Sequence, residues 1–295
     1  MEWLGMFAAL GSAASWAVGA ILMKKLGENL SSLAMTLAKA TISVVLLCMV
    51  LAFVGFELIA FRPLLLLLVS GLLGIAISDT CFFSALKDLE PLSLVLLMML
   101  GQVLTVVLAV LFLHESPSLA VWLGIVLAVV GIGIVVARTL SGDRSKIGLR
   151  GVLFGLASVV SMSVSIIIAK KALDTVSTIE ATLIRMLAGT IGVFLLGAST
   201  GQLGAWMNPF RDRRLAGLFL IAVIIVTFGG FWLSLVAIKY ADVCVANTLI
   251  STEPVFVLPL SVIFLREKIT LWATTGTLIA VAGIILLLWQ KAARM

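Results

Sequence analysis

Four charged residues sit where charge is least expected. Lys39 lies in "TLAKATISVV" (36–45), Asp79 in "GIAISDTCFF" (74–83), Arg185 in "TLIRMLAGTI" (182–191) and Glu253 in "ISTEPVFVLP" (250–259). Each is inside a run that is otherwise apolar or hydroxyl-bearing. A charge at the centre of a membrane helix costs about 2.5–3.5 kcal/mol on insertion scales, so such a group faces a cavity or a partner by default. Two cations lining a cavity could neutralise a carboxylate or phosphate. A carboxyl that alternates between dry and wet surroundings could carry a proton. The bland readings stand beside these: Lys39 and Arg185 snorkel to the headgroups, Glu253 pairs structurally with one of them, and Asp79 caps a helix end. Gln102, Asn247, Trp16 and Trp232 are further candidate cavity liners, although a membrane tryptophan is as often interfacial or packed.

The elements that must position these residues follow from composition. Of the 295 residues, 62% are hydrophobic and 12% charged, with a mean hydropathy of +1.28. A soluble domain of this length carries about a quarter charged residues, so this chain lacks the polar surface to face water. The net charge of +6 does not indicate a nucleic-acid partner, because the basic residues fall mostly between apolar runs and no solvated basic face with interleaved aromatics exists. The lipid bilayer is the expected partner.

A helix crossing about 30 Å of hydrocarbon needs roughly 20 apolar residues. Ten such runs are expected at 4–23, 31–54, 64–84, 92–113, 119–138, 149–169, 178–199, 215–237, 243–264 and 271–290. They are too long for barrel strands and do not alternate, so the fold class is an all-α integral membrane protein. The start "MEWLGMFAAL" has no basic n-region and reads as the first span, not as a cleaved leader.

Catalysis finds little support. Cys48, Cys81 and Cys244 sit singly in apolar runs and His114 is the lone histidine, which leaves no disulfide framework or metal site. No nucleophile–base set and no phosphate loop appears. No enzyme activity and no cofactor is expected.

The chain repeats itself. At an offset of 146, "GMFAALGSAASWAVGAILMKK" (5–25) aligns with "GVLFGLASVVSMSVSIIIAKK" (151–171), and Thr36, Leu37 and Lys39 align with Thr182, Leu183 and Arg185. Beyond the second run the offset is 152. Ala85 and Lys87 then match Ala237 and Lys239, "FLHE" (112–115) matches "FLRE" (264–267), and Asp79 falls opposite Phe231. Agreement of charged and hydroxyl residues is far less frequent by chance than agreement of small apolar ones. The units are 1–140 and 141–295. Each holds five spans, an odd number, so the second enters the membrane from the opposite side, as inverted repeats of secondary transporters do. Inversion is then expected to put Lys39 near one membrane face and Arg185 near the other. The glycines Gly71/Gly74, Gly131/Gly133 and Gly229/Gly230 are expected at close helix approaches. Glu115 and Glu267, at span ends, are expected to cap the helices that follow.

The stretch "LVAIKYADVCVANTLISTEPVFVLPLSVIFLREKIT" (235–270), with its weaker copy "SALKDLEPLSLVLLMMLGQVLTVVLAVLFLHESPS" (84–118), resembles the two-repeat, ten-helix EamA-type branch of the drug/metabolite transporter superfamily. Gly101-Gln102 stands where the second copy has Glu253-Pro254, so a central site would not be symmetric. The resemblance covers the whole chain and implies carriage of small metabolites, amino acids among them, without ATP hydrolysis. The expected function is a secondary transporter of a small polar metabolite working by alternating access, with a proton as candidate coupling ion. An exporter of drug-like cations and a non-transporting scaffold are the alternatives. The chain would work in the cell membrane as a monomer or weak homodimer. The positive-inside rule puts both termini outside the cytoplasm, whereas the resemblance implies both inside.

Overall fold

The computed structural model describes residues 2–115 and 145–265, with positions 119, 122, 123 and 126 between them. Eight of its helices are long and apolar enough to cross a membrane. They are α1 (Glu2–Leu26), α2 (Ser32–Val54), α3 (Phe61–Asp88), α4 (Pro91–Leu113), α5 (Ser145–Lys170), α6 (Thr178–Ser199), α7 (Arg213–Tyr240) and α8 (Val243–Phe264). All the described regular structure is helical. These helices answer to eight of the ten expected runs. The expected span at 119–138 apart from those four positions, the expected span at 271–290, most of the segment joining the two units, Gly131/Gly133 and Glu267 lie outside the described residues.

Local chemistry starts and stops the helices. Ser31 caps α2 by accepting from the Ala34 amide, and Ser177 with Glu180 forms a reciprocal capping box at the start of α6. Pro91 opens α4 at a position where its missing N–H is not needed. His114 closes α4 in the left-handed conformation, at φ 55°.

Hydrogen bonds at the helix ends fix the direction of each helix. The Lys24 ammonium, at the end of α1, donates to the Leu86 and Leu89 carbonyls at the end of α3. Arg150, near the start of α5, pairs with Asp88 at that same end. At the opposite end the Lys170 ammonium donates to the Ile238 carbonyl, and a Cβ on Gly5 would meet Ala241. Helices α1 and α5 therefore run antiparallel. Lys24 and Lys170 match at the first offset, and Leu86 and Ile238 match at the second. In each half, the lysine closing the first helix satisfies carbonyls that the last turn of the third helix leaves without intrahelical donors. That bond accounts for the repeated lysine.

Principal interfaces form between α1 and both α7 and α8, between α5 and both α3 and α4, and between α6 and both α2 and α3. Smaller interfaces join α4 to α8 and α2 to α7. Exchanging α1–α4 for α5–α8 leaves this set unchanged. Glycine and serine make the contacts close. A Cβ on Gly71 would lie 2.4 Å from the Arg185 carbonyl oxygen, one on Gly74 2.4 Å from Ser165 Oγ, and one on Gly229 2.1 Å from Ser15 Oγ. Hydroxyls then bond across the same seams. Ser70 meets Ser165 at 2.9 Å, Ser78 meets Ser158 at 2.9 Å, and Ser12 meets Ser234 at 2.7 Å. Between helices in hydrocarbon, such packing and hydrogen bonding replace the hydrophobic drive.

Three helices depart from regular α geometry. In α3 the turns Leu72–Asp79 are π-helical, as are Ile225–Trp232 in α7. Both stretches end beside the buried charges, where a π-turn is a frequent functional device. Helix α8 breaks at Ser251–Thr252, between Val243–Ile250 and Glu253–Leu260. Pro254 has no N–H to offer the Ile250 carbonyl, and the Ser251 and Thr252 amides bond back to Asn247 and Leu249.

Candidate functional site

The helices enclose a central cavity of about 130 Å³ lined from α1, α3, α4, α5, α6, α7 and α8, with Lys39 reaching in from α2. Seven of the eight residues singled out from sequence line it: Trp16, Lys39, Asp79, Gln102, Arg185, Asn247 and Glu253. Trp232 does not; its indole N–H donates to Thr178 Oγ1 at 3.0 Å. Its neighbour Phe231 lines the cavity instead. Within the π-turns, the register of faces differs from that of a regular helix, and position 231 points inward.

Lys39 and Arg185 do not snorkel. They are 1% and 4% exposed, and both line the one cavity. Simple geometry lets two charges that enter from opposite ends of the bundle share one cavity. Each residue is the eighth of its helix, about 12 Å from its start. Helices α2 and α6 are antiparallel, since the Glu57 amide just past the end of α2 donates to Glu180 at the start of α6. Over helices about 34 Å long, the two Cα atoms then differ by only about 10 Å in depth, a gap two long side chains can close.

The ion pairing also differs from expectation. Asp79, itself 5% exposed, pairs with Lys39, and is neither a helix cap nor an unpartnered carboxylate. Glu253, expected in its bland reading to pair with Lys39 or Arg185, makes no ion pair among the described residues. The Lys39 ammonium also lies 4.2 Å from the Phe231 ring centroid and 5.9 Å from that of Phe83, within cation–π range. The field of Asp79 reaches Arg185 as well. The Arg185 guanidinium donates one terminal N–H to Ser165 Oγ at 3.1 Å, while its buried Nε meets no acceptor among the described residues. Gln102 Oε1 is likewise buried without a described donor. A buried guanidinium nitrogen left without an acceptor beside a cavity is placed to donate a charge-assisted hydrogen bond to an anion.

The remaining lining is apolar and hydroxylic. Phe82, Phe83, Met98 and Met162 form walls, with Ser163 and Ser234 set among them. Trp16 donates to Ser234 at 3.4 Å and stacks edge-on with Phe231 at 4.6 Å. The sequence carried one signal for Phe231, its alignment with Asp79. For Phe82, Met98 and Met162 it carried none, because large apolar residues are everywhere in such a chain. Asn247 donates to the Val243 carbonyl at 2.9 Å within its own helix.

Glu115 caps a helix far along the chain, while the helix expected to follow it lies outside the described residues. Its carboxylate accepts from the Val243 and Cys244 amides at 3.0 and 2.9 Å, so it satisfies the open start of α8 in the other half of the chain.

An apolar helical bundle around a hollow lined with buried charges defines an integral membrane protein of the transporter class. The chain belongs to the EamA-like transporter family, within the drug/metabolite transporter superfamily. The family's model matches it in two stretches, residues 3–137 and 149–289. It is 30% identical over 149 residues to the uncharacterized transporter YvbV of Bacillus subtilis, covering 50% of this chain and 49% of that protein. It is 24% identical over 221 residues to an uncharacterized transporter of Clostridium kluyveri, covering 73% and 69%. The match therefore spans about half the length of the Bacillus relative. A solved crystal structure shares the fold at a TM-score of 0.69 with 16% identity, over 96% of this chain and 94% of its own.

Proposed function

We propose that the chain is a secondary transporter that carries a small polar metabolite, an amino acid among the candidates, by alternating access between two inverted five-span halves, 1–140 and 141–295. Glu253 is its proton-coupling carboxyl, and the cell membrane is its site of action. A single chain suffices, since both halves are present in it. The observation that carries the reading is the central cavity with the unpartnered Arg185 Nε beside it. Burying a lysine, an arginine and an aspartate around an empty hollow is costly in hydrocarbon, and a scaffold would gain nothing from it. An exporter of cations would gain nothing from a buried guanidinium Nε left without an acceptor beside the cavity.

Three further features support the reading. Each of the interfaces named above has a counterpart when the two sets of four helices are exchanged. Helices α1 and α5 run antiparallel. Helix α8 is discontinuous, with Glu253 at the start of its second segment, the arrangement transporters use at midplane binding sites.

The test is uptake into proteoliposomes of a panel of small zwitterions, anions and amines, with and without a pH gradient. Accumulation of a carboxylate-bearing solute is expected to depend on the gradient. In Glu253→Gln that dependence is expected to vanish while the purified protein keeps its size-exclusion profile; an unaltered gradient response in this variant removes Glu253 from coupling. The inverted arrangement is tested separately. With Cys48, Cys81 and Cys244 replaced, single cysteines introduced at Lys25 and Lys171 are expected to label from opposite membrane faces. Labelling of both from one face defeats the arrangement.

A further inference from the structure

The repeat pairs Lys39 with Arg185 and Asp79 with Phe231, and all four line the same cavity. A faithful duplication would bring two carboxylates to two cations and leave the centre neutral. In this chain the second carboxylate's place holds a phenyl ring. The ring lies 4.2 Å from the Lys39 ammonium and softens that charge without cancelling it. Asp79 is engaged by Lys39. Arg185 is left with a neutral hydroxyl and an open Nε. The cavity's other carboxyl, Glu253 on α8, forms no hydrogen bond with either cation among the described residues, and the charge count that follows is that of the cavity with Glu253 protonated, its loaded state as the coupling group.

We infer that Phe231 is a specificity-determining residue: by withholding the second carboxylate it leaves one positive charge at Arg185, and so selects a solute that brings a single carboxylate group and excludes solutes with two or none. The second anion of a dicarboxylate would have to displace Asp79 from Lys39 or go unpaired in a dry site. An amine without a carboxylate would meet like charge. This rests on the reading of the cavity as a solute site, but the charge count is the same whether or not the solute crosses the membrane.

The experiment uses the full chain in detergent and reads thermal stabilisation by 3-phenylpropionate (one carboxylate), phenylsuccinate (two) and phenethylamine (none), phenyl groups being chosen for the aromatic and methionine walls. Wild type is expected to be stabilised by 3-phenylpropionate alone. Phe231→Asp supplies the missing carboxylate and is expected to weaken that affinity on the order of tenfold or more. Phe231→Asn loses the same ring but adds no charge, and is expected to weaken that affinity clearly less than Phe231→Asp does. The double variant Asp79→Asn/Phe231→Asp restores the original charge count and is expected to recover monocarboxylate binding. Equal loss in the Asp and Asn variants, no loss in Phe231→Asp, or a wild type that prefers another probe or binds none overturns the inference. Should the double variant not fold, the Asp/Asn comparison alone decides. Uptake of the same solutes separates the two readings. Binding that follows the charge rule without flux defeats the carrier function alone, and flux indifferent to charge at position 231 defeats the selectivity alone.

Discussion

Asp79→Ala is expected to destabilise the protein by about 3–5 kcal/mol, the usual consequence of removing one partner of a buried ion pair. Lys39 is 1% exposed, and α2 holds it too deep to reach water. Without Asp79 its ammonium keeps only the faces of Phe231 and Phe83. Those contribute about 2 kcal/mol at most when desolvated, short of replacing a carboxylate. The double variant Lys39→Met/Asp79→Ala removes both charges and is expected to recover most of the loss, because a well-packed apolar pair often matches a buried ion pair in stability. Denaturant or thermal unfolding in micelles, arranged as a double-mutant cycle, measures the coupling. If the single and double variants unfold alike, the pair contributes nothing to the fold.

Arg185→Gln is expected to lower uptake of carboxylate-bearing solutes by on the order of 30-fold or more, the loss that follows removal of a buried charged partner. Glutamine can still donate to Ser165, and its smaller amide fits the space that Gly74 leaves beside the guanidinium. The fold is therefore expected to hold while the anion site is lost. Amines are repelled by the guanidinium, so whatever slight uptake of them the wild type allows is expected not to fall. Equal loss for both solute classes in proteoliposomes would mean that Arg185 braces the helices instead of binding solute.

Much of this was legible in the residues. Membrane spans follow from hydrophobic length, because hydrocarbon offers no partner for backbone groups and a helix satisfies them internally. The two offsets of the repeat paired Lys39 with Arg185, Lys24 with Lys170 and Asp79 with Phe231. Buried charge by itself pointed to Lys39, Asp79, Arg185 and Glu253, since hydrocarbon admits few other reasons for them. The expectations that failed were those concerning partners. Glu115 reaches a helix 128 positions away, and no local pattern announces that.

What the sequence alone determined is an inventory: helical membrane spans, a doubled unit, and the charges that must be buried. Only the tertiary structure decided that both cations share one cavity, that Asp79 and not Glu253 answers Lys39, and that Phe231 faces the hollow while Trp232 bonds to Thr178. The physical reason lies in phase. A regular helix turns about 100° per residue, so faces can be read from spacing only while that turn is constant. The π-turns at Leu72–Asp79 and Ile225–Trp232, and the break at Ser251–Thr252, shift the phase beside the site itself, and where each side chain then points is set by the packing of the other helices.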